Sequence, residues 1–199
     1  MRTIENYQKP IDQLSFHRGH EISEQEEGNR ARSGCSGTLL YFAYGSNMNE
    51  NQMAFRCPDA EVVGTVRLEG YRLTFAGNGG GRGVATILPE KGSYVDGVLW
   101  RISARDEQYL DRYEGFPVLY GKETVSVRAS DGKQIPVMAY TMNAPYRNTP
   151  ALPSWEYLNG IVIGCQQHDI DPWPALEAVH VLREARRKIP VRKKQDRER

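Results

Sequence analysis

Tyr41-Phe42-Ala43-Tyr44-Gly45-Ser46-Asn47-Met48 is an aromatic, apolar run that ends abruptly in small residues able to expose backbone amides. Leu39 to Tyr44 has the aliphatic and aromatic character of a buried strand, and Gly45 permits the sharp turn that Ser46 and Asn47 complete. Successive N–H groups in such a turn can converge on an anion, either a carboxylate or a developing oxyanion. A helix starting at Asn49 would add its positive end. Read alone, the same residues also make an ordinary strand-to-helix connection, because Gly, Ser and Asn favour turns. The rest of the chain has to decide between the two.

Working outward, Glu50 to Cys57 reads as a short helix stopped by Pro58. β structure then dominates. Glu61 to Leu68 and Tyr71 to Ala76 alternate apolar and polar residues around a bend at Gly70, and Gly83 to Leu88 and Tyr94 to Ile102 continue the pattern. Ser103 with Asp106 three residues on forms a helix start, running through Leu110 to Tyr113 and ended by Gly115 and Pro117. Lys122 to Ala129 and Gln134 to Met142 flank Asp131-Gly132, a hairpin turn. Ala144 to Pro153 reads as a proline-rich loop, Ser154 caps a helix through Tyr157, Ile161 and Cys165, and Asp171-Pro172 opens a last helix, Trp173 to Arg187. Non-uniform strands with helices inserted late predict an α+β domain on a closed or nearly closed mixed sheet.

A chain of 199 residues, 39% hydrophobic and 26% charged, suffices for one sizeable core. We therefore expect one domain over 37–182, a polar and disordered extension over 1–36, and a basic tail over 183–199. No run of about 18 apolar residues and no charged-then-apolar leader is present, which predicts a cytoplasmic protein without a membrane span. Cys35, Cys57 and Cys165 fit neither a disulfide framework nor a zinc site and are expected to be free thiols, the last two packed. His17-x-x-His20 is too sparse for a metal. Net charge is +1, but Arg183 to Arg199 holds nine Lys or Arg against three Asp or Glu, leaving 17 basic and 22 acidic groups before it. That tail could touch nucleic acid, yet it carries no aromatic residues to stack on bases, so nucleic acid is not the expected partner.

Among residues able to carry chemistry, Ser46 lacks the Gly-x-Ser-x-Gly elbow and an evident histidine partner, so it is not read as a nucleophile. Gly77-Asn78-Gly79-Gly80-Gly81-Arg82-Gly83 lacks the Lys-Ser or Lys-Thr of a nucleotide loop and reads as a connection between strands. Glu114 sits where a helix ends among aromatic residues, in Asp111-Arg112-Tyr113-Glu114-Gly115-Phe116-Pro117. Desolvation there would raise its pKa toward neutrality and suit proton transfer. Asp111 could pair with it, but fits a solvated helical face.

Both signals meet in one family. The sequence resembles the γ-glutamylcyclotransferases and their γ-glutamylcyclotransferase-like (AIG2-like) relatives. Tyr44-Gly45-Ser46-Asn47 matches the family's signature turn and Glu114-Gly115 its catalytic glutamate. Gly83-Val84-Ala85-Thr86-Ile87, Val95-x-Gly97-Val98-Leu99-Trp100, Tyr120, and Pro153-Ser154-x-x-Tyr157 with Gly164 follow in the family's order, so the resemblance spans about residues 38 to 171. It implies a small mixed β-barrel flanked by helices, with a substrate cavity at one end. It also implies a cofactor-free enzyme that releases 5-oxoproline and a free amine from a γ-glutamyl amine or peptide. Glu114 would be the general acid/base, with Tyr44, Gly45, Ser46, Asn47, Tyr120 and Tyr157 binding substrate. The alternative is an inactive γ-glutamyl-binding or interaction module. The leaving amine and the oligomeric state are not written in these motifs.

Overall fold

The computed structural model describes residues 37–77 and 80–188; the expected polar extension, Cys35, His17 and His20, and the tail beyond Lys188 lie outside the described residues. Strand β1 (Thr38–Ala43) buries its aromatic end as the opening run predicts, and α1 (Glu50–Arg56) follows after one tight turn. Then come β2 (Glu61–Gly77), β3 (Gly83–Ser103), α2 (Ala104–Glu114), β4 (Tyr120–Ala129), β5 (Gln134–Met142), α3 (Trp155–Gln167) and α4 (Trp173–Arg187). The strands close into a barrel in the order β1-β3-β2-β4-β5. Neighbours are antiparallel except β1 and β5, which meet in parallel at Tyr41 and Met138 and make the sheet mixed. The α+β barrel flanked by helices is therefore the observed fold.

The four central strands expected from the sequence are two long ones. β2 and β3 stay paired from Glu61↔Arg101 to Gly77↔Gly83, with a register irregularity between Glu69 and Tyr71. Gly70, at φ 78°, bends β2 there, while Glu90 to Ser93 loop out of β3 opposite it, so both strands turn together and pairing resumes. The Ala144–Pro153 segment also holds more order than a plain loop. It contains a 3-10 turn at Tyr146–Asn148, and Thr149 and Leu152 accept hydrogen bonds from Gly77 and Gly83 at the end of the β2–β3 pair. The start of the basic segment, Arg183 to Arg187, is the last part of α4.

Phe42, Phe75, Leu99, Ile102 and Leu110 are fully buried inside this frame, each contributing roughly 1.5–3 kcal/mol by transfer from water. Two local devices place the site. Ser103 caps α2 in a reciprocal capping box with Asp106, and Gly115 ends it in a left-handed conformation (φ 65°), so Glu114 is the helix's last residue. On the other side, α3 packs directly on the backbone after β1. A Cβ at Gly164 would lie 2.7 Å from the Asn49 nitrogen, which only glycine avoids.

Candidate active site

A cavity of about 220 Å³ opens at the barrel end where β1 runs into its turn. It is smaller than the roughly 300–1,000 Å³ of drug-sized pockets and suits a group the size of an amino acid. Tyr44, Gly45, Ser46, Asn47, Glu114, Tyr120 and Tyr157, the residues singled out from sequence, all line it. They come from β1 and its turn, α2, β4 and α3, segments far apart in the chain.

Ser46–Met48 form one turn of 3-10 helix, capped by bonds from Met48 N to Gly45 O and from Asn49 N to Ser46 O. The leading N–H groups of such a turn have no acceptor within it. Gly45 has φ −120° and ψ −143°, not a left-handed backbone. Space is what glycine provides here, since a Cβ would come within 3.2 Å of the Ala85 Cβ. Trp100 Nε1 donates to Asn47 O at 3.1 Å and the His168 ring meets Met48 O at 3.1 Å, fixing the turn to the barrel and to α3.

Asn47 is the hub of the site. Its Nδ2 donates to Glu114 Oε1 at 2.8 Å and to the Tyr41 hydroxyl at 2.9 Å, while its Oδ1 accepts from Arg56 Nη1. Burial pushes the Glu114 carboxyl up to about 7; the Asn47 hydrogen bond and the Arg56 charge pull the other way without cancelling it. A carboxyl group so poised exchanges protons readily near neutral pH.

The tyrosines divide by what their hydroxyls do. Tyr44 donates to Tyr140 O at 2.5 Å, Tyr120 to Ala85 O, and Tyr140 to Asp111 Oδ1 at 2.7 Å, so their protons are committed to the protein. Tyr41 accepts from Asn47, and Tyr157 accepts from Ala85 N at 3.1 Å, which leaves each a proton to offer. Burial holds Tyr41, Tyr44, Tyr120 and Tyr157 well above the usual phenol range, so they stay neutral donors and acceptors.

Sequence reasoning missed Tyr41, Tyr140 and Tyr113 in the lining, and Arg56 behind it. Tyr41 lay inside the quoted run and was read only as strand. Strand alternation sends side chains three residues apart to opposite faces, and Tyr41 shares the lining with Tyr44 because Tyr44 lies beyond the end of β1, in the turn. Arg56, in the last turn of α1, reaches back to Ser46 Oγ at 3.3 Å, and its guanidinium lies 3.7 Å above the Tyr113 ring. Asp111 is not a carboxylate partner for Glu114. It is bound by Lys122 and Tyr140 instead. Cys57 and Cys165 are free and buried, as expected, with burial pushing their thiols up to about 12 and about 11. Among the described residues no cluster of His, Cys, Asp or Glu is placed to hold a metal, and no helix is long and apolar enough to cross a membrane.

A closed barrel whose end gathers one near-neutral carboxyl and a ring of tyrosines has the groups to exchange protons with a small polar molecule. Residues 41–159 match the family described as Gamma-glutamyl cyclotransferase, AIG2-like. The Gamma-glutamylcyclotransferase of Homo sapiens is 32% identical over 155 residues, covering 70% of this chain and 80% of its own. That of Bos taurus is 33% identical over 147 residues, covering 70% and 76%. A solved structure of a Gamma-glutamyl cyclotransferase superposes with a TM-score of 0.63 at 26% identity, covering 80% of this chain and 93% of the other. The chain belongs to the γ-glutamylcyclotransferase, AIG2-like family, and its enzyme class is that of these relatives.

Proposed function

We propose that this chain releases 5-oxoproline and a free amine from a γ-glutamyl amine or peptide. The single observation that carries the reading is Glu114, a carboxyl held near neutrality in a cavity of amino-acid size and touched by the amide of Asn47. In this reaction the glutamyl α-nitrogen attacks its own γ-carbonyl carbon. A lactam C–N bond forms, and the bond to the leaving nitrogen breaks. The α-ammonium must lose two of its three protons, the third staying on the lactam nitrogen, and the leaving nitrogen must gain two to depart as an ammonium. Glu114 takes a proton from the first and returns it to the second, one group working in both directions.

Because the attack is intramolecular, most of the enzyme's task is to hold the folded conformer in which amine and carbonyl meet. Tyr44 and Tyr120 serve as walls, their hydroxyl protons turned into the protein. Tyr41 and Tyr157 have protons left to orient polar groups of the substrate. Gly45, Ser46 and Asn47 supply the backbone face for its carboxylate or for the developing oxyanion, where loss of one donor costs about 3 kcal/mol of barrier. The chemistry needs no cofactor. Two buried, unpaired thiols accord with a cytoplasmic setting.

Mass spectrometry of the protein incubated with γ-glutamyl dipeptides, glutathione and γ-glutamyl-lysine isopeptide tests the reading. The expected product is 5-oxoproline in stoichiometric amount with a free amine. Thermal stabilisation by the same compounds without turnover would establish the inactive binding module in its place.

A further inference from the structure

Arg56, the last residue of α1, stands outside the lining of the cavity yet bonds to two of its residues. Nη1 donates to both Asn47 Oδ1 and Ser46 Oγ, Nη2 donates to Gln52 Oε1 at 2.7 Å, and the guanidinium plane lies over Tyr113. A side-chain amide has one acceptor end and one donor end. A guanidinium has only donors. The end of Asn47 that meets Arg56 must therefore be its oxygen, which obliges the NH2 end to face Tyr41 and Glu114.

We infer that Arg56 is a positioning residue for the proposed cyclisation: by fixing the Asn47 amide it keeps a donor, never an acceptor, against Glu114. The proposal rests on the proposed function for its role in turnover, but the orientation itself does not. With a donor facing it, Glu114 is favoured as the carboxylate, the form that can accept the first proton from the substrate's ammonium. If Arg56 were absent, the amide could turn over and present oxygen, a partner that only protonated Glu114 can satisfy. Loss of the guanidinium charge acts in the same direction.

The surroundings leave that charge without a rival. Glu114 faces Tyr41 and Tyr44 on β1, Tyr120 on β4, Tyr140 on β5 and Tyr157 on α3, all held neutral by burial, with Tyr113 beside it on α2. The Cys57 thiol after α1 is likewise kept protonated by burial. Asp111 and Lys122, behind Tyr140, are paired to each other. Stacking on Tyr113 and the bond to Gln52 hold the guanidinium in place, a geometry that the point charge of lysine reproduces only in part.

Arg56→Met removes charge and donors while keeping an unbranched stem. Two readouts test it in the full-length protein. One is the pH profile of kcat/KM for 5-oxoproline release, and the other is a 13C NMR titration of the Glu114 carboxyl, which needs no turnover. The expected result is an upward shift of the acid limb and of the titration midpoint by about one pH unit, with kcat/KM several-fold low at pH 6 and restored at pH 9. Arg56→Lys should shift both by less, and it carries the test if Arg56→Met does not fold. An unchanged midpoint, with activity lowered equally at every pH, would overturn the proposal and leave Arg56 a structural residue. A wild-type protein that forms no 5-oxoproline would instead end the proposed function, while the titration still decides whether Arg56 governs Glu114.

Discussion

The two ends of α2 each carry a carboxyl side chain, Asp106 fully buried and Glu114 partly buried on a cavity wall, and their surroundings are opposite. Asp106, at the N-terminal end, is fully buried, accepts from Ser103 N at 3.1 Å and Asp59 N at 3.4 Å, and lies where the helix dipole favours negative charge. Glu114, at the C-terminal end, meets the unfavourable end of the same dipole and accepts one hydrogen bond, from Asn47. Its pKa rises to about 7. Burial alone thus does not mark a reactive carboxylate. The number of donors turned toward it, and its place on the helix, separate a capping group from a carboxyl held near neutrality.

Substitutions at the two ends sharpen that contrast. Glu114→Gln should lower kcat for 5-oxoproline release by about 10²–10⁴-fold in a steady-state assay, whereas Asp106→Asn should leave kcat per folded molecule unchanged. A comparable kcat loss at both positions would break the contrast. Asp106→Ala, which opens the capping box and leaves Ser103 N and Asp59 N unpaired, should cost roughly 2–3 kcal/mol in a urea unfolding curve.

The pH dependence of stability gives a third effect. A glutamate whose folded pKa is raised, from 4.5 to about 7, stabilises the fold fully below about 4.5 and loses that contribution as pH rises through 7. Wild type should therefore lose on the order of 2 kcal/mol between pH 4.5 and 8 that Glu114→Gln does not lose. Equal slopes for the two proteins would mean that Glu114 is not desolvated. The smallest effect belongs to the neighbour of Asp106. Arg105 pairs with Asp59 at 2.8 Å with both side chains about half exposed, so Arg105→Ala should change stability by less than about 1 kcal/mol.

Much of this was legible from residue patterns because the signals were local. The aromatic strand with its Gly-Ser-Asn turn, the Ser103–Asp106 cap and the Asp131-Gly132 hairpin each act within a few residues and stand where the sequence put them. The joining of β2 and β3 into long strands was not legible. It depends on Gly70 and the Glu90–Ser93 excursion bending at the same level, a match between positions far apart in the chain. Glu114 could be singled out from its aromatic setting and from the family resemblance. Arg56 could not, because an arginine in the last turn of a short helix reads as a complement to the helix dipole. Only the packing of α1 against the turn after β1 gives it Asn47 as a partner.

That Glu114 carries protons at near-neutral pH is the claim on which the account turns, and the pH profile of kcat/KM for 5-oxoproline release by the wild-type protein tests it most directly. Activity should fall tenfold per pH unit on the acid side, with an apparent pKa of about 7 that disappears in the residual activity of Glu114→Gln. A profile flat from pH 5 to 8, or an acid limb that survives in Glu114→Gln, would contradict it.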